Sequence, residues 1–72
     1  MSFPPMVMFT PGQLIKYSGS VCWLDGINMV TGDQLCLVVA RRLFAGFVRY
    51  DVWTPKACIV NTTLMAYDFR VV

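Results

Sequence analysis

Proton exchange and nucleophilic attack depend on a few side-chain types, and this sequence is poor in them. It has no histidine and no glutamate, and histidine is the usual general base near neutral pH. The carboxylates are Asp25, Asp33, Asp51 and Asp68; each stands beside a turn signal or at an outward strand position, where solvation or capping accounts for it. Cys22, Cys36 and Cys58 are odd in number and far apart, which argues against a disulfide framework. Their apolar neighbours read as the surroundings of inert buried thiols in a reducing compartment rather than of a nucleophile. Without histidine or a Cys-x-x-Cys pair a zinc site lacks a ligand set, and five isolated glycines build no phosphate-cradling loop. The expectation is no catalytic residue, no metal and no cofactor.

Recognition chemistry is better represented. Residues 47–54 alternate Val48, Tyr50 and Val52 with Arg49 and Asp51, a period-two pattern that sends the apolar set inward and Trp53 outward beside Arg49. Tryptophan and arginine are the residues most enriched at the energetic centres of protein interfaces. Trp23 offers a second such contact, and either indole is equally readable as packing at the mouth of the fold. Arg41, Arg42, Arg49 and Lys56 point to a second chemistry, nucleic-acid contact, if they gather at one hairpin with a tryptophan as stacking face. A formal charge of only +2 with both signs spread along the chain places that reading behind protein binding, with Arg49 and Asp51 expected as an ordinary surface pair.

The elements that must position these residues share 72 positions, of which 57% are hydrophobic and 14% charged. Ordinary soluble domains run to about 45–50% apolar and about 25% charged. One domain of this length supplies roughly 3–5 kcal/mol of net stability from its core and cannot hide so much apolar surface, so the excess must lie outside, where it marks a contact with another molecule. No segment approaches the roughly 20 consecutive apolar residues of a spanning helix. The uncharged start is broken by Pro4, Pro5, Pro11 and Gly12, and neither an export signal nor a membrane anchor is expected.

Residues 1–11, with three prolines among large apolar side chains, read as an extended arm, and Phe3, Met6, Met8 and Phe9 are expected to dock on a neighbouring subunit. Residues 12–72 read as the folded unit. Short strands are expected at 13–17 and 21–24, the latter closed by Asp25-Gly26, within a long, partly paired loop up to Gln34. Residues 34–43 form the strongest strand, with Leu35, Leu37 and Val39 on one face and Cys36, Val38 and Ala40 on the other, which suits a central, bent strand. A turn at Phe44-Ala45-Gly46 returns the chain through 47–54. Thr54-Pro55-Lys56 turns it again into a strand at 57–60, Asn61-Thr62-Thr63 starts a single helical turn over 64–66, and 69–72 closes the fold by pairing early residues.

This order of elements resembles an SH3-like small barrel: Gly12-Gln13-Leu14-Ile15 opening, a wandering loop, a hairpin through Gly46, Tyr50-Asp51-Val52-Trp53 on the third strand, and a helical turn before Phe69-Arg70-Val71-Val72. The closing segment is similar to that of short SH3-like proteins of tailed bacteriophages. The resemblance implies an all-β, five-stranded barrel working as a structural or accessory subunit of a virion, such as a capsid decoration or tail protein. Its partners would then be capsid or tail subunits, with a nucleic-acid-binding barrel or a small regulator of a host protein as the other readings.

Overall fold

The computed structural model describes residues 9–64 and 68–72, and they are all-β. Seven strands follow in chain order: β1 (Leu14–Tyr17), β2 (Val21–Trp23), β3 (Met29–Thr31), β4 (Cys36–Phe44), β5 (Phe47–Thr54), β6 (Cys58–Thr62) and β7 (Phe69–Val71). They form a five-stranded sheet in the order β6-β5-β4-β1-β7 and a separate two-stranded ribbon, β2-β3. All the pairings are antiparallel. No ladder joins β6 to β7 among the described residues, so the expected closed five-strand barrel is instead an open sheet with a ribbon beside it.

The β2-β3 ribbon falls inside the stretch expected as a partly paired loop. Asp25 makes its turn: Oδ1 accepts from the backbone N–H groups of Ile27 and Asn28, and Oδ2 accepts from the Asn28 side-chain amide. These bonds, the Asn28 N–H first, hold the Asp25 carboxyl below the ordinary carboxylate range. The second hairpin turns at Ala45 and Gly46, both with positive φ (50° and 82°), the two-residue turn whose twist matches that of the flanking strands. At the third turn the buried Thr54 hydroxyl accepts from the Ala57 N–H at 2.9 Å.

One face of the main sheet, together with Leu24 and Val30 from the ribbon segment, makes the core: Ile15, Cys36, Val38, Tyr50, Val52, Val60 and Phe69 are buried there. Phe9 completes it. Only 1% exposed, its ring meets Tyr50 edge-on at 5.9 Å, and its N–H donates to the Tyr50 hydroxyl at 3.3 Å. Phe9 was expected to reach a neighbour; it is spent on its own chain's core, because a core this small fills its open end with the nearest large apolar side chain. Phe3, Met6 and Met8 lie outside the described residues.

Two further expectations change. Asn61 and Thr62 continue β6 instead of starting a helical turn; Thr62 is buried, and its hydroxyl donates to the Leu24 carbonyl, tying β6 to the ribbon segment. Leu64 carries no helical structure, and 65–66 lie outside the described residues. In β4 the register shifts between Val38 and Ala40. This bulge breaks the simple alternation: Val38 pairs with inward Val52, but Ala40 pairs with outward Asp51, so Ala40 lies on the face of Leu37 and not of Val38.

Candidate interaction surface

Cross-strand partners share a face, so the register alone builds the outer surface. Leu14 stands opposite Leu37, Leu37 opposite Trp53, and Trp53 opposite Ile59. Val72, whose N–H donates to the Leu14 carbonyl at 2.9 Å, extends the line past β1. The result is an apolar row from β6 to the edge at β7. Leu37 is half-buried within it, and Leu14, Trp53, Ile59 and Val72 are exposed.

Next along the strands lies a polar clasp. Arg42 Nε donates to Asp51 Oδ2 at 2.9 Å, Asn61 Nδ2 donates to Asp51 Oδ1 at 2.8 Å, and Arg49 Nε donates to Asn61 Oδ1 at 2.5 Å. A second Arg49 nitrogen donates to the Asn61 carbonyl at 3.3 Å. The four side chains thus link β4, β5 and β6, with Asn61 relaying between carboxylate and guanidinium. Arg49 was expected beside Asp51 as its pair; Asp51 takes Arg42 instead, because Ala40 and not Arg42 is its cross-strand partner and Arg42 reaches it diagonally.

Beyond the clasp, β4 and β5 continue as a two-stranded ribbon, since the ladder with β6 stops at the Tyr50–Thr62 pair. Leu43 is 76% exposed at its end, and Phe44 and Phe47 are each 70% exposed. Phe44 and Phe47 pair across the turn on the face that carries Arg42 and Arg49. Between clasp and tip lies an open recess of about 460 Å³ lined by Arg42, Leu43, Phe44, Arg49 and Asn61.

The structure therefore brings some of the expected residues together and separates others. Trp53 and Arg49 share the outer face, and Trp53 is 43% exposed, neither free nor core. Trp23 is exposed on the separate β2-β3 ribbon. Arg41 belongs to the same hairpin but pairs with inward Tyr50, and Lys56 sits at the β5-β6 turn, the far end of β5. Leu14, Leu37, Ile59, Val72, Phe44 and Phe47 went unselected. Leu37 carried a face assignment, but joining it to Leu14 and Ile59 required registers that no local pattern encodes.

Burial pushes the Cys36 thiol up, and burial with the nearby Asp68 charge does the same for Cys22, which favours the unreactive neutral form. Cys58 is exposed. Among the described residues no three His, Cys, Asp or Glu side chains cluster as metal ligands, and no helix is long and apolar enough to cross a membrane.

The clasp has a pH signature. Hydrogen bonds from Asn61 and then Arg42 hold the Asp51 carboxyl below the ordinary carboxylate range. With the folded pKa below the unfolded value of about 3.9, the linked stabilisation is complete above that value and is lost as pH falls through the lower folded one. The Asn61 side-chain amide resonances, followed by NMR, should hold still through pH 5 and move only below about pH 4. A midpoint above that value would show that the clasp is not formed.

These features define the class: a small all-β protein with an open five-stranded sheet, a ribbon, and an outer face divided into apolar, polar and aromatic zones. No family model, no curated protein and no solved structure matches the chain.

Proposed function

We propose that this chain is a non-catalytic structural or accessory subunit of a larger protein assembly, with an SH3-like order of strands laid out as an open sheet, and working in a phage virion as a capsid decoration or tail component. The observation that carries the proposal is the apolar row Val72-Leu14-Leu37-Trp53-Ile59, which crosses the outer face of the five-stranded sheet. A row of this kind is costly to leave in water and gains from a neighbour that covers it. Trp53 lies within the row and Arg49 on the same face, the pairing of residue types that centres most interfaces.

The order of elements supports the SH3-like reading, because an opening strand β1, a long excursion before β4, the hairpin through Gly46 and a final strand β7 follow one another as in the resemblance drawn from the sequence. The phage part of the reading rests on the closing segment, where β5, a tight turn, β6 and β7 keep the strand order of the resemblance without its helical turn at Asn61 to Leu64. Phe3, Met6 and Met8 supply the arm's contact with a neighbouring subunit, and Trp23 a second contact on the ribbon.

Sedimentation velocity at tens of micromolar tests assembly on three chains: the full one, one starting at Phe9 so that the core stays whole, and Ile59→Lys/Val72→Lys. The full chain is expected as an oligomer. The lysine variant, folded by circular dichroism, is expected as a monomer, and loss of the arm is expected to weaken association. A full chain that stays monomeric at high concentration and binds no virion protein overturns the proposal.

A further inference from the structure

The β4-β5 hairpin has a character the apolar row does not explain. Arg41, Arg42 and Arg49 against Asp51 leave two positive charges on it, the whole formal excess of the chain, while Lys16, Lys56 and Arg70 elsewhere are matched by Asp25, Asp33 and Asp68. The charge that looked dispersed in the sequence is concentrated on one projecting ribbon.

Arg42 and Arg49 are direct cross-strand partners. Like charges placed opposite one another destabilise a sheet, and one carboxylate lies between them. Their Nε atoms are held by Asp51 and Asn61, so each guanidinium is fixed in orientation. Both Nη groups of Arg42 and one of Arg49 have no hydrogen-bond partner among the described residues. Two fixed guanidinium groups with free N–H donors, set opposite one another, match a phosphodiester, which guanidinium binds through paired N–H donors. On the same face, the next pair along, stand the exposed rings of Phe44 and Phe47, and the recess that Phe44 lines with Arg42 and Arg49 is roomy enough for a flat base, with Phe47 beside Phe44 outside it.

We infer that this fingertip binds single-stranded nucleic acid, with Arg42 and Arg49 on the phosphate backbone and Phe44 and Phe47 stacking on unpaired bases. A strand whose every repeat carries one anion and one flat ring satisfies both halves of the site. An acidic peptide satisfies the arginines and leaves the rings in water. Base stacking is tolerant of sequence, so the binding is expected to be unspecific. Arg41, on the other face of the same ribbon, adds charge without lining the recess. Lys56 takes no part. The inference stands on the hairpin and does not depend on whether copies assemble through the apolar row.

Fluorescence anisotropy of a labelled oligothymidylate of about 15 nucleotides, a length within the usual single-strand site sizes, tests it with the full chain. With two or three phosphate contacts the affinity should fall about 7- to 20-fold between about 50 and 200 mM salt. Arg42→Gln/Arg49→Gln should weaken binding at least about ten-fold at the lower salt. Phe44→Ser/Phe47→Ser, whose rings lie outside the core, should weaken it at least about five-fold with the salt slope unchanged. Lys16→Gln/Arg70→Gln removes the same charge from β1 and β7 and should change affinity less than about two-fold. Circular dichroism confirms that each variant folds, and the phenylalanine variant remains decisive if the arginine one does not. Absent binding at low salt, equal weakening by the β1/β7 control, unchanged affinity in the phenylalanine variant, or displacement of the label by polyglutamate as readily as by unlabelled oligothymidylate each overturns the inference.

Discussion

Phe9→Ala should leave most of the population unfolded at 25 °C. Removing a fully buried phenylalanine side chain costs about 3–5 kcal/mol, through lost transfer energy and the cavity left behind. That equals the whole of what a core this size supplies, roughly 3–5 kcal/mol. Phe9 is 1% exposed and meets Tyr50 edge to face, so the cavity opens against Tyr50, whose hydroxyl also accepts the Phe9 N–H. Urea denaturation followed by tryptophan emission measures the loss. A midpoint shift worth less than about 1 kcal/mol would mean that Phe9 is not a core residue and that the segment leading to Pro11 is an arm after all.

Gly32→Ala should be the second most damaging small change, for a reason of space. A Cβ at Gly32 would stand 2.1 Å from the Gly19 carbonyl oxygen and 3.3 Å from that of Tyr17. Both obstacles are backbone, so no side chain can swing aside. The Gly32 N–H donates to the Ser20 carbonyl at 3.0 Å, which means that relieving the clash also stretches the bond fixing the base of the β2-β3 ribbon to the 18–20 loop. Overpacking of this kind costs about 1–3 kcal/mol and occasionally more, a large share of the total. The expected result is a lower urea midpoint and faster amide hydrogen exchange at Val30 and Thr31. Gly26→Ala is the informative comparison, since nothing lies within 4 Å of its added Cβ and its penalty comes from positive φ alone. Equal effects at the two sites would remove the argument from close approach.

The pieces legible in the sequence were those that short-range patterning controls. The alternation in 47–54 marked β5 with its inward set, and Ala45-Gly46 marked the turn that both residues' positive φ requires. The all-β class followed, and so did the pairing of the last strand with the first. Long-range register was not legible. Leu14 stands 23 positions from Leu37 and 58 from Val72 along the chain, and nothing in Leu14 announces either neighbour. Asn61 and Thr62 looked like a helix start because their side chains compete for backbone groups; in the fold one completes the clasp and the other reaches the Leu24 carbonyl. Gly32 fell in the stretch expected as a partly paired loop, which hid its constraint, because a steric requirement imposed by Gly19 is a property of the folded chain only.

The bulge in β4 sets the phase of everything distal to it. With Val39 as the extra residue, even-numbered side chains from Ala40 onward share the side of Leu37, so Arg42 and Phe44 join the outer surface. Deleting Val39 would turn the bulge into plain ladder with the same pairs and the same faces, whereas pairing Val39 itself with Asp51 would slide β4 by one residue and exchange Arg42 and Phe44 for Arg41 and Leu43 on the outer surface. One unpaired residue thus decides which half of the finger's side chains meets the solvent on the side of Trp53, and the choice is made by pairing rather than by composition.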